Sequence, residues 1–133
     1  MSNKKSFNSI LLELELDDFV VIDLETTGLN PKMDRITEIS AIRFINGKPK
    51  DDFSTLINPE IPIPAFITDI TGISDSMVKN APLLKDVNQE LIDFIDDSSI
   101  VGQNIDFDYK FIKESCIKYE IDFDSLFYMI HFH

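Results

Sequence analysis

Along the first half of the chain the apolar residues fall into short runs and alternations, and in the second half they recur at helical spacing. Phe19-Val20-Val21-Ile22 is a β-branched-rich run, so a buried strand is predicted over Phe19 to Glu25. Thr26-Thr27-Gly28 and then Asn30-Pro31 end it with turn chemistry. A second strand is predicted from Ile36 to Ile45. It runs into Asn46-Gly47, a strong signal for a two-residue hairpin. A third strand, Asp52 to Ile57, would return antiparallel to the second. Asn58-Pro59 closes it, and Pro62 and Pro64 keep the following loop extended.

Thr68 to Gly72 reads as a short helix or turn, and Ser74 is placed to cap another short helix through Lys79. Pro82 opens a longer helix that carries Leu84, Val87, Leu91, Phe94 and Ile95 on one face. Ile100-Val101-Gly102 is a short buried strand, expected to lie parallel to the first. A further helix from Phe107 to Tyr119 turns Phe111, Ile112 and Cys116 inward. Ser125 to His133 is an apolar stretch that simply stops. Residues 1–18 are ambiguous: Leu12, Leu14 and Leu16 alternate as in a strand, while Phe7, Ile10, Leu11 and Leu14 fit a helix stripe. Three opening strands with a hairpin, then helix, strand and helix, predict an α/β fold with a mixed sheet. One domain over 19–133 is expected, preceded by an N-terminal extension over 1–18.

Composition narrows the function. With 44% hydrophobic and 27% charged residues, the chain of 133 residues matches a folded globular domain rather than a disordered one. Twelve Lys+Arg against twenty-four Asp+Glu leave a net charge of -12. That excludes nucleic-acid binding by a broad basic face. It leaves room for a site where metal ions supply the positive charge. The single cysteine, Cys116, has no partner for an intramolecular disulfide, which suits a reducing cytoplasm. Acidic residues interrupt every apolar run well short of the roughly 18 residues of a membrane span, and Glu13 and Glu15 break up what would otherwise resemble a signal sequence.

The chemistry concentrates at two strand ends. Asp23 and Glu25 are two apart, so they share one face of the first strand, roughly 6.6 Å from each other along it. Two acids ending an apolar strand repel one another and resist ionisation, and a divalent cation such as Mg²⁺ or Mn²⁺ between them removes that penalty. Thr26-Thr27-Gly28 beside them is small enough to let a substrate backbone approach. The second cluster, Gly102-Gln103-Asn104-Ile105-Asp106-Phe107-Asp108, also follows a strand and opens a helix. Open α/β sheets bind ligands at such carboxyl ends. Asp108 is placed towards the core-facing stripe as a cation ligand, and Asp106 as a helix cap.

Val21-Ile22-Asp23-Leu24-Glu25-Thr26-Thr27-Gly28-Leu29 resembles the first motif of the DEDD (DnaQ-like) 3′–5′ exonucleases, a family that includes the proofreading epsilon subunit of bacterial DNA polymerase III. Val101 to Asp108 resembles the second motif, with Gln103 where His is usual. Ile70-Thr71-Gly72-Ile73 resembles a segment that lies beside the family's active site. The resemblance implies a ribonuclease-H-like fold and assigns Asp23, Glu25 and Asp108 as catalytic, metal-binding acids. It implies a two-ion site of Mg²⁺ or Mn²⁺, with ions about 3.5–4 Å apart. It also implies a substrate side formed by Thr26, Thr27, Gly28, Leu29, Ile73, Asn104 and Phe107. The implied substrate is a single-stranded or frayed 3′ end of DNA, ahead of RNA, and the implied protein partner is a DNA polymerase or helicase, with no membrane. The family's third motif, a His followed five residues later by an acid, finds no match: His131 and His133 have no acid after them. Asp124-Ser125-Leu126 resembles a segment that precedes that motif. The expectation is a domain incomplete at its C-terminus, with weak or no turnover of its own.

Two rival readings remain open from the sequence. A haloacid-dehalogenase-like phosphohydrolase also begins with acids two apart after an apolar strand, with Asp23 then the nucleophile. A non-catalytic exonuclease-fold remnant that binds a partner is the other.

Overall fold

The computed structural model describes residues 18–123 and the backbone of 129–131. Most of the expected 1–18 extension therefore lies outside the described residues, as do Asp124-Ser125-Leu126 and His133. The elements are β1 (Asp18–Thr26), β2 (Ile36–Ile45), β3 (Lys48–Leu56), α1 (Ala65–Thr71), α2 (Asp75–Val78), α3 (Leu84–Ile95), β4 (Ser99–Gly102), α4 (Ile105–Lys118) and β5 (Met129–His131). They build a five-stranded mixed sheet in the order β3-β2-β1-β4-β5. The apolar strand β1 is central and antiparallel to β2, and it lies parallel to β4 as expected.

Alternation sorts β1 into two faces. Val20, Ile22 and Leu24 join Ile39, Ala41 and Ile100 in the main core, under Leu91, Ile92 and Ile95 of α3 and Ile105, Phe111, Ile112 and Cys116 of α4. The opposite face of the same strand carries Asp23 and Glu25 at its carboxyl end, with Phe19 stacked on Phe44 of β2 further back. The β2–β3 hairpin turns through Asn46 and Gly47, both at positive φ (52° and 74°), the pair of left-handed conformations that a two-residue turn requires.

Several expectations shift. β3 begins at Lys48, four residues before the first residue expected, because its exposed start is held by backbone pairing (Ile45↔Lys48, Arg43↔Asp51) rather than by apolar burial. The long helix starts at Leu84 rather than at Pro82, whose carbonyl accepts a hydrogen bond from the Asn58 N–H at 2.9 Å. Ser74 does precede α2, but its hydroxyl makes no capping hydrogen bond. The final apolar stretch does more than stop: residues 129–131 pair parallel with β4 as a fifth strand.

Two polar devices tie the layers together. Arg43 of β2 donates to Ser98 Oγ at 2.9 Å and to the Phe94 carbonyl, with its guanidinium over the Phe94 ring. Between α3 and α4, fully buried Asn88 accepts from Ser115 Oγ at 3.3 Å and donates to Cys116 Sγ at 3.7 Å.

Candidate active site

β1 delivers Asp23 and Glu25 because its pleat puts both on the face away from the main core. α4 delivers Asp108 in its first turn, where the Asn104 carbonyl accepts from the N–H groups of Phe107 (3.1 Å) and Asp108 (3.4 Å). The helix follows β4 at once, and β4 pairs with β1 only as far as Val21↔Val101. Beyond that point the Leu24 N–H donates to the Asp108 carboxylate. The second cluster is thereby brought onto the end of the first.

The electrostatics record that meeting. Asp108 is 4% exposed. Burial, and then repulsion from Asp23 and Glu25, push its carboxyl up to about 7, against the opposing pull of the Leu24 hydrogen bond. Glu25 is raised by burial, by Asp23 and by Glu38. Asp23 faces solvent on one side, yet the protein beneath the strand end still raises its carboxyl by burial. Repulsion and desolvation outweigh the one backbone donor, so the three acids form a site short of positive charge. Hard oxygen donors in that condition suit a divalent cation. Among the described residues, no three His, Cys, Asp or Glu side chains are closed into a metal-holding cluster. The carboxylates are near enough to repel without being drawn around one point.

Glu38 was missed from the sequence. The register pairs it with Glu25, so a fourth acid adjoins the site from β2. The alternation of β2 carries the signal, since Ile39 and Ala41 face the main core and Glu38 therefore does not.

The expected substrate side divides in two. Leu29 is 82% exposed beside the strand end. Thr26 and Thr27 are buried, and their hydroxyls shape the turn: Thr26 Oγ1 donates to the Gly28 carbonyl at 2.6 Å, while Thr27 Oγ1 donates to Asp34 Oδ1 at 3.1 Å and accepts from the Arg35 N–H at 3.0 Å. A Cβ at Gly28 would lie 2.6 Å from Asp34 Cγ, so any larger residue there must push the Asp34 carboxylate aside. Asn104 is exposed at the start of α4, and Phe107 is half-buried with its ring tilted against Phe111. Ile73 is buried in a satellite core with Ile63 and Val78, away from the main one. Asp106 is not the cap: Asn104 holds that position, without a side-chain hydrogen bond, and Asp106 lies in the first turn. β5 pairs His131 with Gly102, at the carboxyl end of β4. A half-open cavity of about 290 Å³ between the β1–β2 turn and the second half of α4 is lined by none of the three acids.

A mixed sheet with three acids near the end of its central strand is a ribonuclease-H-like architecture, and solved structures share that fold. Exonuclease I in its apo form superposes with a TM-score of 0.76 at 17% identity, over 86% of this chain and 29% of that one. Exonuclease X in complex with 5′-overhanging duplex DNA superposes with a TM-score of 0.60 at 30% identity, over 69% and 52%. A family model described as Exonuclease matches residues 20–132, and the chain belongs to that family. Among curated relatives, the PolC-type DNA polymerase III of Caldanaerobacter subterraneus subsp. tengcongensis is 46% identical over 101 residues, which are 76% of this chain and 7% of that protein. The 3′-5′ exonuclease DinG of Bacillus subtilis is 46% identical over 96 residues, 71% of this chain and 10% of that protein. The chain thus spans a tenth or less of these relatives' length. The DEDD resemblance is borne out and the phosphohydrolase alternative falls, since the matching family is the exonucleases. Among the described residues no helix is long and apolar enough to cross a membrane.

Proposed function

We propose that this domain holds the 3′ end of a DNA strand and, with divalent metal, hydrolyses its last phosphodiester to release a nucleoside 5′-monophosphate. The observation that carries the reading is the meeting of Asp23 and Glu25 with Asp108, whose carboxyl is pushed up to about 7 by burial first and then by repulsion from the other two. Asp23, Glu25 and Asp108 would hold Mg²⁺ or Mn²⁺. When bound, such ions activate water and stabilise the leaving oxygen. The chain's own contributions are the acidic cradle, the exposed Leu29 beside the terminal nucleotide, and the tight Thr26-Thr27-Gly28 turn that keeps side-chain bulk away from the strand end. Asn104 and Phe107, at the start of α4, border the same strand end. Ile73 contributes from beneath the surface, by fixing the position of its own segment.

This assignment also fits the acidity of the chain, because the phosphate under attack is met by metal rather than by a broad basic face. Turnover by the 133 residues alone is expected to be weak, since the third exonuclease motif finds no match in them. The relatives include DNA polymerase III proteins, which makes a polymerase the favoured macromolecular partner.

The experiment is a thermal-unfolding series with Mn²⁺, run beside an assay of nucleotide release from a single-stranded oligonucleotide. Mn²⁺ should raise the Tm of the wild-type chain. That rise should vanish in Asp23→Asn and Asp108→Asn, and any nucleotide release should vanish with it. A Tm unmoved by Mn²⁺, or release that survives Asp23→Ala, would overturn the assignment.

A further inference from the structure

Three of the twelve Lys+Arg of this acidic chain, Lys32, Lys110 and Lys113, line one open groove of about 600 Å³ together with Leu29, Asn30, Pro31 and Glu114. All three lysines are exposed. Against a net charge of -12, such a concentration with one acid among it marks a place where negative charge is received rather than repelled.

Both walls of the groove are formed by segments that follow the acids in the chain, although no acid of the site lines it. One is the β1–β2 turn, which leaves Glu25 through Leu29. Its shape is set locally: Asn30 Oδ1 accepts from the Lys32 N–H at 2.9 Å, and Asp34 Oδ2 accepts from the Asn30 N–H at 3.0 Å. The other wall is α4, where Lys110 and Lys113 are three residues apart and so share a face. The helical rise puts them roughly 3 Å and 7.5 Å beyond Asp108 along the axis. They also lie about 200° and 140° around the helix from buried Asp108, so the positive charge sits past the acids along α4 and on its solvent-facing side. Lysine ammonium groups are point charges suited to phosphates of any sequence, and Leu29 offers an apolar surface to a base.

We infer that the groove between the β1–β2 turn and α4 carries the backbone of a single DNA strand just upstream of its 3′ end, with Lys32, Lys110 and Lys113 holding successive phosphates. The inference rests on the exonuclease reading and adds a track that feeds the strand to the acids.

The test measures fluorescence anisotropy of a labelled single-stranded DNA of about 12 nucleotides with phosphorothioate 3′ linkages, across a salt series. Thermal stabilisation by dTMP with Mn²⁺ is measured in parallel. The combined Lys32→Ala, Lys110→Ala, Lys113→Ala variant should bind the strand about 10-fold more weakly at low salt, with the log–log salt slope reduced by about 2. Its dTMP response should match wild type. Lys50→Ala combined with Lys85→Ala, which removes exposed charge outside the groove, should weaken binding by less than about twofold. The inference is overturned if the groove variant binds the strand like that control, or if the wild-type chain holds the strand no better than dTMP. In either case, stabilisation by dTMP and Mn²⁺ would leave the exonuclease reading standing, and its absence would remove both.

Discussion

At the residue scale the account turns on Asp108. Its carboxyl is the most buried of the three acids and has an ordinary value of 3.8, raised to about 7 in the folded chain. A raised carboxyl favours folding while protonated, so its contribution is full below about pH 4 and is lost as pH rises through about 7. Asp23 and Glu25 are raised too and act with the same sign. The metal-free chain should therefore lose Tm between about pH 4 and pH 7, and Asp108→Asn should flatten that loss. Mn²⁺ must displace the same proton, so its apparent affinity should climb to about pH 7 and level off above it. Calorimetric titration across that range checks both halves, and an affinity flat from about pH 5 to 8 would contradict them. Gly28 acts through space alone. Gly28→Ala should cost about 1–3 kcal/mol in urea unfolding, because the added methyl displaces Asp34 from its bonds to Thr27 and Asn30. Combined with Asp34→Ala, the cost should be less than the sum of the two single losses, since both remove the same bonds.

At the element scale, what burial dictates was legible in the sequence and what pairing dictates was not. β1 and β2 stand out because alternation and β-branched runs encode burial directly, and the Asn46-Gly47 turn fixes how β2 must return. The start of β3 carries no such pattern: Lys48-Pro49-Lys50-Asp51-Asp52 is exposed and is held through backbone register at a sheet edge. β5 depends on a parallel partner nearly thirty residues away, which no local pattern announces. Glu38 is an ordinary acid until the register sets it beside Glu25. Asn88 falls on the apolar stripe of α3 between Leu84 and Leu91 and is fully buried, but its partners Ser115 and Cys116 on α4 are announced by no local pattern. Asn88→Ala should cost about 1–3 kcal/mol, since it removes the shared hydrogen bonds of a buried polar group. Combined with Ser115→Ala, the loss should be less than the sum of the two, as a double-mutant cycle in urea would report.

At the scale of the whole molecule, the topology explains how a chain with twice as many acids as bases can belong to a family of nucleases. β1 lies at the centre of the sheet, β4 stops short beside it, and α4 turns back so that its first acid-bearing turn reaches the free end of β1. The two motifs lie about eighty residues apart and meet only through that parallel pairing. The site's residue types were therefore readable in the sequence, while their convergence belongs to the fold. Asp106 shows the limit, since its spacing suggested the cap that Asn104 occupies.

The most direct measurement is anomalous diffraction from crystals of this chain soaked in Mn²⁺. The account predicts a peak bonded to carboxylate oxygens of Asp23, Glu25 and Asp108, and loss of that peak in Asp108→Asn. Manganese bound elsewhere, or the side chain of residue 108 turned away from an ion held by Asp23, would contradict it.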